Sequence, residues 1–304
     1  MQLTRWFDTK NTNFDEIIGK FTSFQKEYNN SSDGISLVNF SFNKVFEENQ
    51  EIKLNGRRIT FNKINFSYDV ISSGQEPLED RTRRIQCFVI IYNDGVKVNY
   101  IINRNSDAQR VLREINEYVG RGEIVENNLE VSSDFFNWLI YKVFKNENIF
   151  EINDTATIVL ESIKGFKGDT DDALTKVSAD GDTVMNLIST LSFLLESSNL
   201  TLIKLITKYD IHEKIELTLN KKSTIGFEYK KYIGDFRDDG EELAVSKLLL
   251  LLYLELLPLI IQTYKEEKSN HNWNGKVYVE FLKEIGIELS GRIEEKITDI
   301  EENQ

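Results

Sequence analysis

Two turn dipeptides, Asn55-Gly56 and Asp94-Gly95, constrain this chain most, because each stands between runs of aromatic and β-branched residues. Asn-Gly and Asp-Gly tolerate the left-handed backbone of a two-residue hairpin turn, so the flanking runs are expected to pair as antiparallel strands. SLVNFSFNKVF, EIKLNGRRITFNKINFSY and RIQCFVIIYNDGVKVNYIINR supply those strands. The hairpin over 84–103, with a type I′ turn at Asp94-Gly95, is expected at the sheet's centre because both arms are strongly apolar.

Helical spacing appears on either side of these strands. Phe14, Ile17, Ile18, Phe21 and Phe24 define a first helix, broken by NNSSDG at 29–34. A second is expected over 105–119, capped by Asn105 or Ser106, with Val111, Leu112, Ile115 and Val119 on one face. SSDFFNWLIYKVF places Phe135, Trp138, Leu139, Val143 and Phe144 on a common side of a third.

Beyond it the rhythm changes: TATIVLESIKGF reads as a strand, DTVMNLISTLSFLLESS as a helix, and LTLIKLITKY, KIELTLNKK and TIGFEYKKYIG as further strands. Two helices over 241–268 and 276–300 end the chain. The fold class is therefore α+β: an antiparallel-rich N-terminal sheet with helices, then an α+β part ending in two long helices. The seam falls at 125–150, giving parts 1–125 and 126–304, or one continuous domain.

The apolar run LLLLLYLELLPLII at 248–261 is interrupted by Glu255 and Pro258 and falls short of the roughly 20 residues that cross a bilayer. It is expected as a buried helix, kinked near Pro258, with no membrane role. Apolar on nearly every side, it requires cover from the sheet, the final helix or a second copy, so a homo-oligomer through the C-terminal helices is one expectation. The final helix steps through Tyr278, Phe281, Leu282, Ile285, Leu289, Ile293 and Ile297. The one cysteine, Cys87, sits in the apolar run IQCFVIIY, which excludes an intramolecular disulfide and suggests an inert thiol. With no charged-then-apolar leader at the start, the expected location is cytoplasmic.

The formal charge of −13 is unevenly spread. Over 56–121, 11 Lys and Arg stand against 8 Asp and Glu, leaving 26 against 42 elsewhere. Arg57, Arg58, Arg81, Arg83, Arg84, Arg104, Arg110, Arg113 and Arg121 are nine of the twelve arginines in the chain. Guanidinium groups grip phosphate or carboxylate with two prongs, so this concentration points to an anion-binding or nucleic-acid-binding face. Phe61, Phe66, Tyr68, Tyr92 and Tyr100 would add stacking platforms if they share that face. Surface pairing with nearby acids explains the same arginines without any ligand, and Arg57 and Arg58 beside the turn fit it well. Arg81, Arg83 and Arg84 are placed in a polar loop, SGQEPLEDRTRR at 73–84.

A second cluster is acidic. GFKGDTDDALTKVSADGDT at 165–183 holds Asp169, Asp171, Asp172, Asp180 and Asp182, and with Glu161 and Lys164 it supplies the residue types of a metal-dependent nuclease or phosphodiesterase using Mg2+ or Mn2+. Glu161 and Lys164 stand three apart, so an undistorted strand would point them to opposite faces. The plainer expectation is that Asp180 or Asp182 caps a helix beginning near Thr183 and that 169–172 forms a polar turn, with no metal or cofactor. His212 and His271 are expected as exposed loop residues, without metal-ligand spacing. Neither a phosphate loop, a dinucleotide fingerprint nor a Gly-x-Ser-x-Gly elbow occurs in the sequence.

The leading reading is a non-enzymatic protein that binds a macromolecule, nucleic acid or protein, through its arginine-bearing surface. The alternatives are the metal-dependent nuclease and an acidic mimic of nucleic acid that binds a basic protein. The lack of a metabolic motif also fits a phage or antiphage setting, a reading that no residue carries.

Overall fold

A computed structural model describes residues 2–26, 34–153, 156–169, 176–180, 188–196 and 199–302. It is an α+β structure with antiparallel sheets and a long C-terminal helix. The chain divides into two compact units: 1–128 with 239–255, and 129–238 with 256–304.

The first unit is built on one antiparallel sheet. Its strands are β1 (Thr4–Asp8), β2 (Ser36–Lys44), β3 (Gln50–Leu54), β4 (Arg57–Ile71), β5 (Thr82–Asn93), β6 (Val98–Ile102) and β7 (Ile124–Glu126), in the order β2-β4-β5-β6-β1-β7 with β3 on β4. The β5–β6 hairpin occupies the centre, as its apolar arms require. Helices α1 (Phe14–Ser23) and α2 (Ala108–Ile115) cover one face, burying Phe21, Phe66, Tyr68, Val89, Tyr100, Val111 and Leu112 in a shared core. Helix α5 (Glu241–Leu251) serves the same unit: Glu242 pairs with the buried Lys63 of β4, and beyond α5 the Tyr253 hydroxyl donates to the Leu3 carbonyl at 2.7 Å.

One of the two hairpin turns departs from expectation. At Asn55-Gly56 both residues have positive φ, 48° and 71°, and Leu54 pairs with Arg57, so the two-residue left-handed turn lies here. At Asp94-Gly95 only Gly95 is left-handed, and Asn93 pairs with Val98 across four loop residues. Asp94 accepts the Val96 and Lys97 N–H groups, each at 3.0 Å, and this side-chain turn replaces the type I′ turn.

Helix α2 is shorter than 105–119. Asp107 is its N-cap residue but makes no capping bond, because its carboxylate is taken by Arg104 and by the Tyr68 hydroxyl. Glu117, at φ 59°, ends the helix in a Schellman arrangement with Tyr118 N–H on the Arg113 carbonyl. Val119 lies beyond that end and is 94% exposed, so it is no part of the apolar face.

The second unit has its own sheet, β10 (Lys176–Asp180), β9 (Ala156–Asp169), β11 (Asn199–Tyr209), β12 (His212–Asn220) and β13 (Ile225–Phe227), with β8 (Ile149–Asn153) on β9. TIGFEYKKYIG yields only the three residues of β13, then a 3-10 turn at Tyr229–Lys231. Helix α3 (Ser133–Phe144) packs on β9 and β11; α4 (Ile188–Glu196), α6 (Leu257–Ser269) and α7 (Gly275–Glu302) complete the unit. Trp138 stacks on Phe150 at 5.4 Å, and Phe135 meets Tyr264 edge-on at 5.3 Å.

The apolar run 248–261 lies in the helical span Glu241–Ser269, which is long and apolar enough to cross a membrane; 67% of its most apolar window is buried inside the protein. Residues Leu252–Leu256 form a π turn just before Pro258. Proline has no N–H for the Leu254 carbonyl four residues back, and that carbonyl instead accepts Asn55 Nδ2 at 3.0 Å. The Tyr253 carbonyl likewise accepts Arg5 at 2.9 Å.

Candidate anion-binding site

The arginines singled out in the sequence are dispersed by the sheet. Arg57 and Arg58 open β4, whereas Arg83 and Arg84 pair with Val70 and Asp69 near its far end. Twelve strand residues separate Arg57 from Asp69, about 40 Å at roughly 3.3 Å per residue. These two pairs do not form one site. Arg83 and Arg84 stand in β5, not in the preceding loop, because both extend the β4–β5 ladder.

Three of the arginines are committed to carboxylates. Arg58 faces Glu51 at 3.5 Å. Arg84 binds Asp69 at 3.0 Å and Ser67 Oγ at 2.6 Å. Burial acts to raise the Asp69 pKa, but hydrogen bonds from Asn39 and Arg84 outweigh it and hold the group below its ordinary value. Arg104 grips Asp107, with Nε 2.8 Å from Oδ1, and that hydrogen bond raises the guanidinium pKa further. Arg81 is spent on its own loop, donating to the carbonyls of Glu76 and Ser72. The proposed stacking residues Phe61, Phe66, Tyr68, Tyr92 and Tyr100 are all buried, so they belong to the core.

Of those that remain, Arg57 and Arg83 stand by opposite ends of β4, whereas the fold brings Arg110 and Arg113 together with Arg121. The left-handed Glu117 turns the chain back along α2, and two side chains of the helix fasten the returning segment. Arg113 donates to the Val119 carbonyl at 2.9 Å, and Gln109 to the carbonyls of Arg121 at 3.1 Å and Ile124 at 2.8 Å. The result is a cleft of about 490 Å³ lined by Ser106, Gln109, Arg110, Arg113, Glu114, Tyr118 and Arg121.

Charge in the cleft is one-sided. Glu114, its only acid among the described residues, pairs with Lys26. Among the described residues, neither Arg110, Arg113 nor Arg121 makes an ion pair; Arg110 donates to the Ile35 carbonyl, and the buried Nε of Arg113 has no hydrogen-bond partner. Tyr118 is a fixed wall: its hydroxyl donates to Asp8 at 2.8 Å, while Lys10 and Lys20 lie 5.6 and 5.5 Å from its ring. Burial and that hydrogen bond push the phenol pKa well up, so it stays neutral. Such a cleft can hold an anion through planar, two-pronged contacts. Its arginines were legible in composition; their meeting depends on a left-handed glutamate, which no sequence pattern announces.

No family model matches the chain, and no curated protein matches it.

The acidic cluster has a different outcome. Asp171, Asp172 and Asp182 lie outside the described residues. Asp180 ends β10 and pairs with Gly165, so it is a strand residue and not a helix cap, while Asp169 ends β9 and pairs with Lys176. Four residue steps along the ladder set the backbones of Asp169 and Asp180 about 13 Å apart. Among the described residues no three His, Cys, Asp or Glu side chains gather as a metal centre would need.

Glu161 and Lys164 do line one cleft, of about 410 Å³, contrary to the expectation for a regular strand. The β9–β11 register skips both residues, so each is the extra residue of a bulge, and the bulges break the alternation of faces. Glu161 there pairs with Lys208 at 3.2 Å.

His212 also departs from expectation. It is 5% exposed, and its Nδ1 shares a hydrogen bond with the Tyr232 hydroxyl at 2.7 Å, so it is an interior strand residue. His271 stands exposed in the α6–α7 connection. Cys87 is buried, and burial pushes its thiol up to about 11, where it stays protonated.

Proposed function

We propose that the first unit is a binding module for phosphate-bearing polymers, nucleic acid foremost, and that the cleft of Arg110, Arg113 and Arg121 is where phosphate docks. One observation carries this reading: the three arginines line one cleft and pair with no carboxylate among the described residues, in a chain acidic enough to neutralise them. Arg58, Arg84 and Arg104 have found such partners. Action is by electrostatic docking, without bond making.

The test is a titration with labelled single- and double-stranded DNA and RNA, at low and physiological salt, with and without magnesium or manganese. Salt-sensitive binding without cleavage is expected. Arg110→Ala and Arg121→Ala should each weaken it by about tenfold, the scale of one charge-assisted contact, while Arg57→Ala with Arg58→Ala leaves it nearly unchanged. Binding indifferent to the cleft variants, or metal-dependent cleavage, overturns the reading.

A further inference from the structure

We infer that the arginine cleft receives a terminal phosphate monoester, the phosphorylated end of a strand or a free nucleotide, in preference to the diester of a strand running through; this deepens the reading above and rests on it for the polymer. Charge is the first ground. Three guanidinium groups face one carboxylate that Lys26 already neutralises. A phosphate monoester carries about −1.5 to −2 at neutral pH and three acceptor oxygens, whereas each diester link brings a single charge. The dianion is the better match to three guanidinium groups without ion pairs among the described residues.

Form is the second ground. At about 490 Å³ the cleft has the scale of a small-molecule site of some 300–1,000 Å³. A groove that tracks a backbone spreads its contacts over roughly 4–16 nucleotides. Here the cationic groups are drawn into one concavity, and the chain closes it: Gln109 and Arg113 hold the carbonyls of Arg121 and Val119. The third ground is an unspent donor. Arg113 commits Nη2 to Val119, and no group among the described residues takes its Nη1, a donor that a phosphate oxygen would satisfy.

The experiment uses the full chain and short oligonucleotides of one sequence ending in 5′-phosphate, 3′-phosphate or hydroxyl, competing against a labelled strand, with a nucleoside monophosphate and inorganic phosphate as separate arms. Phosphorylated ends should compete at least about tenfold better than hydroxyl ends, and the preference should fade below about pH 6 as the second phosphate proton returns. Arg121→Ala should erase it. That side chain hydrogen-bonds to no described residue, so its removal leaves the fold intact; Arg113→Lys, which keeps charge but loses the fork, should erase most of it.

Equal competition by all ends, still sensitive to the cleft variants, overturns the terminal-phosphate inference and leaves nucleic-acid binding standing. Arginine-dependent binding of the monophosphate without any oligonucleotide upholds the inference and removes the polymer. Binding of none of them overturns both.

Discussion

The Tyr232 hydroxyl accepts the Phe236 N–H at 3.2 Å and shares a hydrogen bond with His212 Nδ1 at 2.7 Å. Gly234 runs close by: a Cβ there would meet Tyr232 Oη at 2.6 Å and His212 Nδ1 at 2.9 Å. Burial lowers the His212 pKa, against the opposing pull of Asp210 and Asp235. A depressed folded-state value means that the unfolded chain binds the proton more readily. The stability that His212 contributes is therefore complete above about pH 6.5 and is lost as pH falls through the lower folded value. Urea unfolding at pH 7.5 and 5.5 should show a larger loss for the natural protein than for His212→Gln; equal losses would remove the imidazole as the cause. Cys87 gives a second check, since a buried thiol with pKa about 11 should react with a thiol reagent only as the protein opens. The sequence marked Cys87 correctly because its neighbours bury it. It misplaced His212 because burial there comes from Tyr232 and Phe236, in the segment beyond β13 whose turn the strand reading of TIGFEYKKYIG hid.

At the scale of elements, turn chemistry and alternation made the antiparallel strands, the central hairpin and the last two helices legible. What was not legible is that 239–255 belongs with the first unit, because the partners of that segment lie 179 to 250 residues away. Asn55 shows the dependence. Its backbone N–H donates to Glu255 Oε2 at 2.9 Å, and its side chain supplies the Leu254 carbonyl that Pro258 cannot. Asn55→Gly keeps the left-handed turn and loses the side-chain bond, so it should cost about 1 kcal/mol; Asn55→Ala adds the strain of φ 48° and should cost more. Leu250→Ala, at a fully buried position of α5, should cost about 2–5 kcal/mol, while Ile297→Ala, half exposed on α7, should stay within roughly 0.5 kcal/mol. Denaturant midpoints for the four variants test the order. The bulges at Glu161 and Lys164 were hidden for a related reason: nothing in TIVLESIK departs from strand composition, and the register is decided by β11.

Across the whole molecule the cleft is a cationic exception. The first unit holds 18 Lys and Arg against 22 Asp and Glu, a net of −4, and the second 19 against 28, a net of −9. Any bound polyanion therefore gains from a few nearby guanidinium groups and meets like charge elsewhere. The balance depends on range. At physiological salt the Debye length is about 8 Å, so contacts inside the cleft survive while distant acids are screened; at about 0.01 M it is near 30 Å and their repulsion is felt. Counterion release alone gives a slope of about −0.7 per phosphate neutralised on a single strand, hence roughly −2 for three arginines. Repulsion by the acidic remainder should flatten that slope towards low salt, so the plot of log affinity against log salt should curve, steepening as salt rises. The combined Arg110→Ala, Arg113→Ala and Arg121→Ala variant should lose the steep limb. A steep slope that survives in it would place the phosphate contacts on other cations, and Arg57 and Arg83, exposed and without ion pairs among the described residues, would be next to change.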